Sequence, residues 1–112
     1  MEKVTVFSLS RFSNYELLAR TLDDYQIDIM VLGSKGGADL MAQEYALSQD
    51  IPTQIFLPDY LKYGDDANYR RNLLMIDNAT NVILFWNGHS KSPLTYLDYI
   101  KKLRKRFRTV LY

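Results

Sequence analysis

At 112 residues, 47% of them hydrophobic and 24% charged, the chain has the size and apolar content to bury one core and fold as a single domain. The absence of cysteine excludes a disulfide framework and any thiolate metal site, and with one histidine, His89, neither a metal centre nor a resident cofactor is expected. A net charge of +1 gives no strong overall field for nucleic acid, and no apolar run approaches the length of a signal or membrane span, so a cytoplasmic protein without membrane contact is expected.

Val4 and Val6 with Thr5 and Phe7 make a short β-branched and aromatic run that predicts a first strand ending near Ser8. Ser13 and Glu16 have the spacing of a capping box, and Tyr15, Leu18, Leu22 and Tyr25 follow on one helical face. Ile27 to Leu32 predicts the second strand, stopped by the glycine-rich turn Gly33-Ser34-Lys35-Gly36-Gly37. Ala38, Met41, Ala42, Tyr45 and Ala46 then recur with a helix period. Ile51-Pro52 leads into a third strand, Thr53 to Leu57.

Pro58 to Asp66 has no clear period and predicts a long ordered loop before a helix around Asn68 to Asn78. Asn81 to Trp86 is the most apolar strand, and Asn87 to Pro93 is its loop, with Pro93 suited to a first helical turn. Leu94, Leu97, Ile100, Leu103 and Phe107 predict the apolar face of a last helix, and Thr109-Val110-Leu111 a fifth strand. Alternating apolar strands and helices of this kind predict an α/β, three-layer Rossmann-like domain: a five-stranded parallel sheet in the order 3-2-1-4-5, covered by four helices.

Ligands of such sheets lie beyond the carboxyl ends of the strands, where the order reverses and neighbouring loops diverge. This nominates Ser8, Ser10 and Arg11 after the first strand and the segment Asn87 to Ser92 after the fourth. Gly33, Ser34, Lys35, Gly36 and Gly37, with Asp39 in the helix that follows, offer backbone N–H groups and a helix N-terminus to a phosphate. The turn matches neither the GxGxxG nor the Walker A pattern, and an ordinary glycine turn explains it equally well. In the next helix Arg71 suits bidentate bonding to phosphate, and Asn72 suits a base or ribose, although solvated surface residues would look the same. Tyr63 and Trp86 could stack on a base, or simply pack. His89, Ser90 and Asp98 lack the arrangement of a hydrolytic triad, and no pair of carboxylates stands out by spacing.

Together these segments resemble the small YspA-like branch of the SLOG superfamily, Rossmann-like domains related to the DNA-processing protein DprA and to the LOG phosphoribohydrolases. Ser10-Arg11-Phe12 with Tyr15-Glu16-Leu17-Leu18 is similar to that branch's opening motif, and Gly33 to Asp39 to its GGxxGAD loop. Pro58-Asp59-Tyr60, Tyr63-Gly64, Arg71-Asn72-Leu73-Leu74-Met75 and Phe85-Trp86-Asn87-Gly88-His89-Ser90-Lys91 follow in the same order. The chain departs from the pattern at Leu9, Ser34, Gly36 and Pro93, and it lacks the enzyme branch's PGGxGTxxE signature.

The resemblance implies a pocket for a nucleotide or nucleotide-derived ligand, formed by Ser8, Ser10, Arg11, the Gly33 to Gly37 loop, Asp39, Tyr63, Arg71, Asn72, Trp86, Asn87, Gly88 and Ser90. The leading expectation is a small binding or sensor domain. One alternative is a hydrolase acting on a glycosidic or phosphate bond, with Asp98 or Asp39 as base. Another is DprA-like nucleic-acid binding through Lys101, Lys102, Lys105 and Arg108 on a basic last helix. A homodimer is also expected, with its surface unassigned.

Overall fold

The computed structural model describes residues 1–34 and 36–112. Lys35 lies outside the described residues. Five strands, β1 (Lys3–Phe7), β2 (Ile29–Leu32), β3 (Thr53–Ile55), β4 (Asn81–Trp86) and β5 (Arg106–Leu111), form one sheet in the order β3-β2-β1-β4-β5. Every pairing is parallel, with Val4 opposite Met30 on one side and Asn81 on the other. Four helices make the crossovers: α1 (Tyr15–Leu22), α2 (Ala38–Ser48), α4 (Ala67–Asn78) and α5 (Leu97–Lys102). A single turn, α3 (Tyr60–Tyr63), precedes α4. The expected α/β architecture, strand order and helix count are all present.

Alternation along the strands divides the core into two layers. Val4, Val6, Met30, Leu32, Ile83 and Phe85 face α1 and α2, meeting Leu18, Leu22, Ala42, Tyr45 and Ala46. Phe7, Val31, Val82 and Leu84 face the other way, against Met75, Ile76 and Ala79 of α4 and Ile100 of α5. Each of the larger of these side chains contributes about 1.5 to 3 kcal/mol by leaving water. Thr5 sits in the middle of β1, fully buried. Its Oγ1 is the one buried side-chain polar atom among the described residues with no hydrogen-bond partner.

Several boundaries differ from the sequence expectation. Asn14, not Ser13, caps α1: its Oδ1 accepts from the Leu17 N–H at 3.0 Å, so the Ser13-to-Glu16 capping box does not form. β2 begins at Ile29 rather than Ile27, because Glu2 receives the Asp28 and Ile29 amides before the ladder starts. β3 ends at Ile55 rather than Leu57, since the Phe56 carbonyl turns to the Arg71 guanidinium at 3.2 Å and Pro58 has no N–H to donate. Most of the stretch expected as a loop is helical, from residue 60 to 66: Asp59 caps α3 through the Lys62 N–H at 3.1 Å, and a 3-10 turn over Gly64–Asp66 joins it to α4.

Pro93 precedes a 3-10 turn, Leu94–Tyr96, that leads into α5, and the Ser92–Pro93 peptide is cis. The last helix stops at Lys102, where Arg104 takes a left-handed conformation (φ 56°) and the Lys105 N–H returns to the Ile100 carbonyl. This is the backbone geometry of a glycine-type helix end, made here by an arginine. Phe107, expected on the helix, therefore belongs to β5, as do Arg106 and Arg108.

At the amino edge of the sheet Glu2 ties the strands together. Its backbone carbonyl receives the Asp28 and Ile29 amides, and its carboxylate accepts from Thr80 at 2.8 Å, Asn81 at 2.7 Å and Arg106 at 2.6 Å. The Thr80 hydrogen bond first, then Arg106, holds the Glu2 carboxyl below its ordinary value. A carboxylate stabilised in this way supports the fold above its unfolded pKa, and the support is lost as pH falls through the depressed folded value. Thermal melts from neutral into acid are thus expected to fall more steeply for the native chain than for Glu2→Gln. Parallel slopes would show that the tie does not depend on charge.

The lone hydroxyl of Thr5 supplies a second expectation. Thr5→Val replaces an unpaired buried donor by a methyl of the same shape, and raises stability by about 1 kcal/mol, or roughly 4 to 8 °C in Tm. A drop in Tm on this substitution would show that the hydroxyl is satisfied in solution.

Candidate functional site

Parallel strands all end on one edge, and the order reverses at β1, whose neighbours β2 and β4 continue into helices on opposite faces. The loop after β1 is therefore flanked by a diverging gap. A cleft of about 220 Å³ opens there, lined by Val6, Phe7, Ser8, Leu9, Ser10, Gly36, Asp39, Arg71, Asn72 and Ser92. Seven of the residues singled out from the sequence meet in it: Ser8, Ser10, Gly36, Asp39, Arg71, Asn72 and Ser92.

Two close approaches build the wall between the β1 loop and α2. Ser8 Oγ accepts from the Ala38 N–H at 2.9 Å and donates to the Leu9 carbonyl at 2.9 Å, so the first strand's loop supplies the cap that Gly37 cannot. Gly37 itself stands at φ +70°, and a Cβ there would come within 2.7 Å of the Leu9 carbonyl oxygen and 2.9 Å of Ser8 Oγ. Only glycine fits this junction. Gly33, at the end of β2, is crowded from the other side: a Cβ would meet Asp39 Oδ2 at 2.7 Å and the Arg71 guanidinium at 3.0 Å. The Gly33 N–H donates to Asp39 Oδ1 at 3.2 Å, so Asp39 braces the glycine turn from the first turn of α2.

Arg71 reaches the cleft from α4 and is only 3% exposed. A buried guanidinium requires acceptors on several sides. Nε donates to Asn72 Oδ1 at 2.8 Å, Nη1 to the Phe56 carbonyl at 3.2 Å, and Nη2 to Asn68 Oδ1 at 3.5 Å. Asn72 passes the constraint on, donating through Nδ2 to the Tyr96 hydroxyl at 2.8 Å. Tyr96 in turn stacks on Phe7, with ring centroids 5.2 Å apart. A cation is thus fixed in place at the cleft, with the Asp39 carboxylate close by, since both groups crowd the same position beside Gly33.

The remaining sequence candidates lie elsewhere. Arg11 and Ser34 are exposed and are not among the cleft-lining residues, and Lys35 lies outside the described residues. Tyr63 belongs to a different groove, with Arg70, Leu73, Leu74, Asp77 and Tyr99, where Lys62 and Arg70 approach its ring at 5.1 and 5.3 Å. The loop after β4 closes on itself. Asn87 Oδ1 accepts from the His89 and Ser90 amides at 2.9 and 3.0 Å, its Nδ2 reaches Ser90 Oγ at 3.1 Å, and the Trp86 indole donates to the Ser90 carbonyl at 2.7 Å. Trp86, Asn87, Gly88 and Ser90 are consequently absent from the described lining. Ser92 is the one residue of that loop that enters the cleft.

Sequence reading did not foresee that Val6 and Phe7 would join Leu9, already marked as a departure from the family pattern, in an apolar wall, nor the support given to Arg71 by Asn68 and the Phe56 carbonyl. The one available signal was the inward alternation of Phe7 on β1. Asp98, in the first turn of α5, is not part of the lining, and His89 meets Asn87 through its backbone, with no side-chain hydrogen bond to Ser90 or Asp98 among the described residues. Among the described residues no group of acidic or histidine side chains is arranged to hold a metal ion. No helix among them is long and apolar enough to cross a membrane.

No family model, curated protein or solved structure matches the chain.

The Gly37 junction is directly testable. Gly37→Ala forces a side chain into the Leu9 carbonyl at a left-handed backbone position, and should cost about 1 to 3 kcal/mol. Gly36→Ala, whose Cβ would meet nothing closer than the Ser10 carbonyl at 3.9 Å, should change stability by less than about 0.5 kcal/mol. Urea denaturation of the two variants side by side measures the contrast, and equal midpoints would refute the close packing.

Proposed function

We propose that this protein binds a nucleotide or nucleotide-derived phosphate ligand at the cleft beyond β1 and β2. The observation that carries the reading is Arg71, a nearly buried guanidinium held by three hydrogen bonds and lining an open cleft. Pre-ordering of this kind suits recognition of a phosphate, because little side-chain freedom remains to be lost on binding. Ser10 and Ser92 add hydroxyls, Gly36 allows close approach, and Asn72 presents an amide beside the cation. The order of motifs that resembles the YspA-like SLOG domains supports the same ligand class.

Size narrows the ligand. A cleft of about 220 Å³ is smaller than the roughly 300–1,000 Å³ typical of sites that enclose a drug-sized molecule. It suits the phosphate and sugar of a mononucleotide, with the base lying partly outside, better than a dinucleotide. Tyr63 and Trp86 are engaged elsewhere, which leaves Phe7 and Leu9 as the apolar surface for the ligand. Asp39, which lines the cleft near Arg71, adds a negative charge that disfavours polyanions. The reading is of a binding or sensor domain.

Thermal-shift titration with 5′-nucleoside monophosphates and ribose 5-phosphate tests it. Saturation at about 100 times Kd stabilises a protein by about 2.7 kcal/mol, which appears as a rise of several degrees in Tm. Gly36→Asp brings a carboxylate to the cleft from a position whose Cβ would meet nothing closer than the Ser10 carbonyl at 3.9 Å, and should remove the shift while leaving the ligand-free Tm nearly unchanged. No shift with any of these compounds, or an undiminished shift in Gly36→Asp, would overturn the assignment.

A further inference from the structure

The two edges of the sheet are built differently. β3 has three residues and sits between Pro52 and Pro58, so its edge is short and broken at both ends, a common guard against pairing with another chain. β5 has six residues, Arg106–Leu111, with no proline and no described element bonded to its outer side. Its two arginines would ordinarily guard such an edge. Both are drawn sideways onto acids of their own chain, Arg106 to Glu2 at 2.6 Å and Arg108 to Asp24 at 2.9 Å.

The hydrogen-bonding parity of β5 follows from its pairing with β4. The Tyr112 N–H donates to the Trp86 carbonyl at 3.0 Å, so Arg106, Arg108, Val110 and Tyr112 turn their amides inward. Phe107, Thr109 and Leu111 then direct N–H and C=O outward. The outward residues include two apolar side chains left in water, Phe107 at 42% and Leu111 at 67% exposure.

We infer that β5 pairs antiparallel with β5 of a second copy of this chain about a twofold axis at Thr109. In this register Phe107 faces Leu111 of the partner subunit, Thr109 faces Thr109 of the partner subunit, and Leu111 faces Phe107 of the partner subunit. All three pairs are hydrogen-bonded ones, giving about six inter-chain backbone bonds. On the other face Arg108 lies opposite Val110 of the partner subunit, and Arg106 opposite Tyr112 of the partner subunit.

Neighbouring registers are poorer. A twofold axis at Arg108 sets two guanidiniums directly opposite each other, which is unfavourable. An axis at Phe107 leaves Leu111 without a partner, and an axis at Val110 loses the Phe107 pairs. The Thr109 register alone separates the arginines and buries both apolar side chains. It is an isologous contact, which closes at two subunits and does not propagate.

The chain contains no cysteine, so single cysteines report the register without background. Under mild oxidation Thr109→Cys should form an inter-chain disulfide, because Cα atoms of a hydrogen-bonded antiparallel pair lie about 5.5 Å apart, within disulfide range. Arg108→Cys and Val110→Cys should not, since each faces the other residue. In sedimentation across a dilution series the native protein should approach twice the chain mass. Thr109→Pro, which removes an outward N–H and no bond to β4, should sediment as a monomer, as should Thr109→Lys, which sets two ammonium groups on the axis. Circular dichroism of the native type in Thr109→Lys separates loss of pairing from loss of fold. A native chain that is monomeric at every concentration, a dimer indifferent to both Thr109 variants, or preferential cross-linking through residue 108 or 110 would overturn the inference.

Discussion

A guanidinium that is nearly dry must be surrounded by acceptors, and meeting that requirement for Arg71 organises the carboxyl edge of this sheet. A charge withdrawn from water has to be compensated, so the surrounding chain has to supply oxygen atoms at fixed positions. Asn72 and Asn68 come from its own helix, one residue on and three residues back. The Phe56 carbonyl comes from the chain as it leaves β3. Meeting Arg71 therefore shortens β3, directs the backbone into α3, and brings the start of α4 against the glycine turn after β2.

The two edges of the sheet show the same chemistry used for opposite ends. At the amino edge the Glu2 carboxylate accepts from Thr80, Asn81 and Arg106, and these acceptors and donors are mutually consumed at the strand beginnings. At the carboxyl edge the polar groups stand around a cleft. Ser8 caps α2, Asp39 braces Gly33 and Arg71 is held from behind, so each group is oriented by the protein while facing a volume that a small molecule could enter. Pre-organisation on one edge and closure on the other follow from a parallel sheet, in which all strand beginnings lie together and all strand ends lie together.

The architecture was legible because both layers of the core are written in alternation: Val4 and Val6 against Phe7, Met30 and Leu32 against Val31, Ile83 and Phe85 against Val82 and Leu84. Only a sheet covered on both faces needs such runs. The site was half legible. Ser8, Ser10, Gly36, Asp39, Arg71 and Asn72 follow from topology and residue type, since strand ends and helix starts must converge there. Trp86, Asn87, Gly88 and Ser90 were placed by the same rule, but an asparagine two residues before an amide prefers to close its own turn. The start of β5 was hidden for a different reason. Phe107 lies four residues after Leu103, which satisfies a helical period, and the break falls at Arg104, whose left-handed backbone has neither the glycine nor the asparagine that would announce it.

The proposed pairing and the proposed ligand site occupy separate parts of the sheet. β5 is two strands removed from β1, so at about 4.8 Å per strand the twofold edge lies on the order of 10 Å from the loop that floors the cleft. In a continuous ten-stranded sheet with antiparallel β5 strands, the two carboxyl edges point in opposite directions. Each cleft is complete within one chain, and none of its lining residues lies on β5. Communication between two such sites would require an element with two arrangements, biased by both. Between them stands β4, buried on both faces and joined to both neighbours through most of its length, which leaves it little room to hold two packings. The proposed pairing would thus add order to an exposed edge while leaving the chemistry of each cleft to its own chain.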